Sequence, residues 1–263
     1  MDEAYFREAA GHIREDLRLK TFPVAVGFLR DKADVPGKAR RPSIAMGKRI
    51  AVCQGVTMAR NYGWTIALAR EDIQCVPAAI VFGFSDSPDP AASLAELFRE
   101  IEFSSTEELA RKETASMSRF ENGEIAAVVL APLHKAAFEP DTVLVYGTPA
   151  QTMRLAQAWS YATGRRLSGE AGGKVECDEY LIAPFKTQSA RMVIPGNGER
   201  IFAGTQDDEM VFAVPSRFLG DLVAGLHKVG RAIGVRLPVT PYQNFQPEFP
   251  EAHRRMGKKL GIL

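Results

Sequence analysis

The sequence predicts an α+β or α/β protein: a mixed sheet flanked by helices, built from two related halves. Three observations carry that expectation. Segments with apolar residues at helical spacing alternate with short β-branched runs. The 263 residues are 46% hydrophobic and 25% charged, a balance that suits a sizeable core. The order helix, turn, strand, cysteine occurs twice, from Thr57 to Cys75 and from Thr152 to Cys177. A duplication would explain the repeat, with halves 22–146 and 147–230 inside one compact domain of 1–263.

Taken in order, 2–20 reads as a helix, because Tyr5, Ala9, Ile13 and Leu17 share a face. The run 22–29 is strand-like, with Pro23 at its start. A basic connection, 31–49, is long enough to be functional or mobile. Residues 50–61 look helical, 64–69 form a short strand, and Pro77 places Cys75 near a helix N-terminus. Helices are expected at 91–101 and 106–116, and strands at 125–131 and 142–146. Residues 149–163 form a helix closed by Gly164. A glycine-rich loop, 169–174, leads to Cys177 and a helical segment 178–185. Strands are expected at 191–194, 200–203 and 209–214, with a hairpin turn at Asn197-Gly198. A long helix, 216–233, takes Ser216 as its cap, and 238–263 is an irregular tail.

Charge and motifs exclude several functions. Lys+Arg is 33 and Asp+Glu is 32, so the chain lacks the positive field of a nucleic-acid binder. The longest apolar run, 76–84, is too short to span a membrane. The acidic, amphipathic start has no secretion-signal pattern, so a cytoplasmic protein is expected. Gly169 to Lys174 lacks P-loop spacing, no two histidines form a helical zinc pair, and no Gly-x-Ser-x-Gly elbow occurs.

The three cysteines carry the chemistry. Cys53, Cys75 and Cys177 each fall beside a predicted helix start, where free N–H groups and the dipole favour a thiolate. Thiolates ligate iron–sulfur clusters and zinc. Three of them can hold three corners of a [4Fe–4S] cube and leave one iron open. Their spacing, 22 and then 102 residues, matches no recognised cluster signature. Arg60 lies seven residues after Cys53 on one helix face, and with Arg200 offers charge to an anionic small molecule. Glu209 can instead pair with Arg200 across a hairpin.

The constellation Pro23-Val24-Ala25-Val26, then Cys53-Gln54 with Ala59-Arg60, then Cys75, resembles the family catalogued as domain of unknown function 169. The resemblance continues through Cys177, Gly198-x-Arg200, and Asp208-Glu209-Met210 followed by Pro215, from about Thr21 to Gly230. It implies a soluble prokaryotic protein, of a kind often found in anaerobes, with no assigned activity. It also implies recurring cysteines at the places of Cys53, Cys75 and Cys177. Many members carry a further cysteine just before the Gly-x-Arg element, where Pro195 or Gly196 stands here. That departure leaves at most three thiolates.

The preferred reading is a cysteine-ligated cofactor protein binding a [4Fe–4S] cluster through Cys53, Cys75 and Cys177. Its role would be redox or sulfur-transfer chemistry on a small anionic molecule met by Arg60 and Arg200. No nucleic-acid or membrane partner is expected, and a second copy of the chain is allowed. The competing reading is a metal-free binding or subunit-interaction protein whose cysteines are core. Metal-free thiol catalysis comes third.

Overall fold

A computed structural model describes residues 3–167, 169, 171–232, 236–239 and 248–263. Among these the fold is α+β, as expected. Strands β1 (Val24–Leu29), β2 (Ile66–Leu68), β3 (Ala127–Pro132), β4 (Thr142–Gly147), β5 (Arg191–Val193) and β6 (Met210–Pro215) form one sheet in the order β2-β3-β1-β4-β6-β5. Every strand pair is antiparallel, where a mixed sheet was expected. Parallel pairing is confined to the isolated bridges Arg40–Ile66 and Ile50–Ile73.

The helices are α1 (Glu3–Leu17), α2 (Pro42–Ala45), α3 (Val52–Tyr62), α4 (Val76–Val81), α5 (Pro90–Glu100) and α6 (Glu107–Ser116). They continue with α7 (Pro149–Thr163), α8 (Ala183–Thr187), α9 (Asn197–Ala203), α10 (Leu219–Ala232) and α11 (Glu251–Lys259). A π-helical turn, Cys177–Ile182, runs directly into α8.

Helices cover both faces of the sheet. Val24, Val26, Leu130, Leu144 and Tyr146 point to the layer that holds α3 to α6 and the π-turn. Ala25, Val129, Val143 and Val145 point to the layer of α1, α7 and α10. Alternate residues of a strand face opposite ways, and an antiparallel sheet often leaves one face wet. Here neither is wet, so β3 and β4 are buried along their whole length. That is why they read as unbroken apolar runs.

Local signals place most of these elements. Thr148 Oγ1 accepts from the Gln151 N–H at 3.4 Å, and Gln151 Oε1 accepts from the Thr148 N–H at 2.8 Å. This reciprocal cap starts α7, and Gly164 at φ +67° ends it. The long basic connection is tied down. Arg41 meets Asp72 at 2.8 Å, and Arg40 lies over the Trp64 ring at 4.1 Å.

Several expectations need correction. Residues 200–203 are helical, not a strand, and Asn197-Gly198 opens α9 instead of turning a hairpin. Glu199, 1% exposed, is drawn inward by two tyrosines, and that burial overrides the turn signal. Ser216 opens a short 3-10 turn after Pro215 that leads into α10. The tail contains α11. Residue 2 of the first expected helix, Ile233 of the long one and tail positions 240–247 lie outside the described residues.

The strand order is symmetric about the β1–β4 seam, which would divide the chain after β3 and not near residue 147. The helices break that symmetry. The buried side chains of α3 belong to one face of the sheet, and those of α7 to the other. An axis relating antiparallel β1 and β4 would keep both helices on one face. The expected order of helix, strand and cysteine is also met once. β2 precedes Cys75, whereas β5 follows Cys177. Among the described residues no helix is long and apolar enough to cross a membrane.

Candidate functional site

The thiols come from three elements on one face of the sheet. Cys53 is the second residue of α3, where Gln54 Oε1 accepts from the Ala51 N–H at 2.9 Å. Cys75 is the residue just before α4, and Pro77 occupies that helix's first turn. Cys177 opens the π-turn. All three are free. Cys75 packs against the small cluster of Ala51, Cys53 and Ala203, and also against the large core that contains Cys177. The Cys53 Sγ–H points to the Gly198 carbonyl at 3.9 Å.

Helix starts were expected to lower these thiol pKa values, and the structure reverses that expectation. Burial pushes Cys53 up, with Glu199 and Cys75 adding to it. Burial also raises Cys177 well above the ordinary thiol range, with Cys75 and Cys53 adding to it. Cys75 is raised by burial, although the Ala78 N–H opposes the shift. Desolvation outweighs the helix end here. The protonated thiol is the stable form unless a cation enters.

Two buried carboxyls accompany the thiols. Tyr146 donates to Glu199 Oε1 at 2.6 Å and Tyr180 donates to the same atom at 3.1 Å. Glu199 Oε2 has no partner among the described residues. Burial raises the Glu199 pKa despite both tyrosines. Glu176, 5% exposed, is pushed up to about 7 by burial and by the charges of Glu199 and Glu179, and its Oε1 is likewise unpartnered.

Arg60 and Arg200 do not form an open anion site. Arg60 is 2% exposed and its two terminal nitrogens meet Glu209 at 2.6 and 3.0 Å. Its guanidinium also lies over the Tyr146 ring at 4.0 Å. Glu209 was expected to reach Arg200; it pairs with Arg60. Arg200 instead donates to the carbonyls of Pro195 at 3.0 Å and Gln206 at 2.6 Å, closing the loops around α9. Both guanidinium groups therefore serve protein acceptors.

The donor set is chemically apt for a soft metal or cluster, being three thiols with two acids near them. Its spacing is not that of a single-ion site. Among the described residues no three Cys, His, Asp or Glu side chains stand close enough together to hold a metal ion. At Gly196 the packing leaves no space for a side chain. A Cβ built on it would lie 1.7 Å from Glu176 Oε1 and 2.2 Å from the Gly173 carbonyl oxygen. Sequence reading missed Glu176, Glu199, Tyr146 and Tyr180. The available signal was the run Glu176-Cys177-Asp178-Glu179 set against Tyr180-Leu181-Ile182, acids leading straight into a buried helix.

Fold and site together define an α+β protein whose antiparallel sheet is sandwiched by helices and carries a buried thiol–carboxyl cluster on one face. The chain belongs to the family described as "Uncharacterised ArCR", domain of unknown function 169, whose model matches residues 12–225. It is similar to an uncharacterised protein of Methanocaldococcus jannaschii, 28% identical over 228 residues, covering 86% of this chain and 95% of the relative. No solved structure matches.

Proposed function

We propose that this is a cysteine-ligated cofactor protein, with Cys53, Cys75 and Cys177 as ligands of a [4Fe–4S] cluster used in redox or sulfur-transfer chemistry. One observation carries the reading. Thiols separated by 22 and 102 residues in sequence gather around Cys75 in one buried region. A cube of iron and sulfide is larger than one ion, so it does not require the tight shell of a single-metal site. Glu176 and Glu199, both pushed toward the protonated form by burial, each keep one oxygen without a partner among the described residues. Such a group, when bound, would supply an electron or an open iron. The chain's own part is to hold three thiolates and to exclude water. Free thiols also suit a reducing, cytoplasmic setting.

The competing reading is a metal-free protein with core cysteines, for which burial would keep all three thiols protonated. Anaerobic purification of the full chain separates the two. The cofactor reading expects brown protein, iron and acid-labile sulfide in comparable amounts, and a broad band near ~400 nm that Cys75→Ser removes. Colourless protein without iron, both as purified and after anaerobic reconstitution, would overturn it.

A further inference from the structure

The residues after Cys177 line a separate space. Asp178 and Glu179 reach a cavity of about 230 Å³, walled also by Glu113, Met117, Gly172 and Arg191. The two carboxylates share an arrangement. Asp178 Oδ2 accepts from the Ser118 N–H at 3.1 Å, and Glu179 Oε1 accepts from the Gly172 N–H at 2.7 Å. Each is thus anchored through one oxygen. The other oxygens, Asp178 Oδ1 and Glu179 Oε2, are buried and meet no donor among the described residues. Asp178 is 6% exposed and Glu179 is 7% exposed, so bulk water is a poor substitute. Arg191 completes the set, with its Nε buried and lacking an acceptor.

Buried polar atoms without partners are uncommon and costly. Three around one cavity point to a ligand that supplies what is missing. Glu113 needs nothing, because Lys174 meets its oxygens at 2.8 and 2.6 Å. What remains is two acid side chains and one guanidinium, Arg191, whose charge already acts on both acids but whose Nε meets no acceptor among the described residues. A metal ion would satisfy only the acceptors, and these residues lack ion-holding spacing. An ammonium group satisfies two carboxylate oxygens, and a carboxylate satisfies a guanidinium. The cavity lies below the range of drug-sized pockets, which suits a ligand of few heavy atoms.

We infer that this cavity binds a small zwitterion of the α-amino acid class, its ammonium between Asp178 and Glu179 and its carboxylate on Arg191. The π-turn supports such a role, since these irregularities recur at functional sites. Nothing in the inference depends on a cluster at the thiols.

Calorimetric titration of the full chain with glycine, L-alanine and L-serine tests it, with ethylamine and propionate as half-ligands. At least one amino acid should bind about tenfold or more tighter than either half-ligand, because each half leaves one partner unmet. Glu179→Gln should weaken amino acids and ethylamine alike. Arg191→Met, at the less buried side of the cavity, should erase the preference for amino acids over ethylamine. Unchanged circular dichroism identifies folded variants, and either one alone suffices. The inference fails if no amino acid binds at about 10 mM, a weak-affinity ceiling. It also fails if half-ligands bind as tightly as amino acids, or if the folded variants bind like the parent.

Discussion

Replacing Glu176 by Gln should change how stability depends on pH, in a direction the burial sets. The Glu176 carboxyl is pushed from 4.5 up to about 7, first by desolvation and then by the charges of Glu199 and Glu179. Between those two pH values the folded chain keeps a proton that the unfolded chain has released. Its contribution is therefore full below about pH 4.5 and falls away as pH rises toward 7. At about 1.4 kcal/mol per pH unit, ionising this one buried group costs the fold roughly 3 kcal/mol. Glutamine keeps the shape and cannot ionise. The expected result is near-equal stability of parent and variant at pH 5, and a variant more stable by about 2–3 kcal/mol at pH 8.5. Neighbouring acids titrate together with Glu176, so the parent's slope belongs to the cluster and only the difference belongs to this residue. Urea unfolding at half-unit pH steps measures it. Parallel stability profiles would refute the reasoning, because a solvent-satisfied carboxyl would give them.

Four further outcomes follow from the same structure. The metal-free native chain should resist iodoacetamide at pH 8, whereas urea exposes three reactive thiols, since burial holds all three cysteines protonated; mass spectrometry counts the adducts. Arg60→Met should lower stability by about 3–5 kcal/mol, because Glu209 loses both contacts to Arg60 and keeps the Gln206 N–H, while adding Glu209→Gln should recover a large part in the double variant. Gly225→Ala should cost about 1–3 kcal/mol, because its Cβ would lie 2.6 Å from the Ala158 carbonyl oxygen. Gly11→Ala, in α1 with nothing within 4 Å, should instead stabilise by about 0.5–1 kcal/mol in chemical denaturation.

The elements that sequence reading located well have strong local causes. α7 has a reciprocal cap at Thr148 and a left-handed glycine at Gly164, and it falls at 149–163 as the pattern indicates. The strands β3 and β4 announce themselves through β-branched residues. Their antiparallel pairing did not, because covering both faces gives an antiparallel strand the apolar run usual for a parallel one. α9 was misread for another reason. Asn197-Gly198 is a turn signal within four residues, whereas the burial of Glu199 depends on Tyr146, 53 residues away. No window along the chain contains both.

The same distinction explains the site. That Cys53, Cys75 and Cys177 stand beside helix starts was legible in the sequence. Their ionisation was not, because a helix end is local and desolvation depends on everything packed above it. Gly196 carries this furthest. Read along the chain, it is half of a turn. In the fold it is the only kind of residue that fits, since Glu176 Oε1 and the Gly173 carbonyl fill the space where a Cβ would stand. Glu176 and Gly196 are thus a matched pair. A side chain at 196 would displace the acid from beside the thiols, and the carboxyl held there leaves no room for a fourth thiol at 196. Three thiols with two buried carboxyls beside them are what this packing holds.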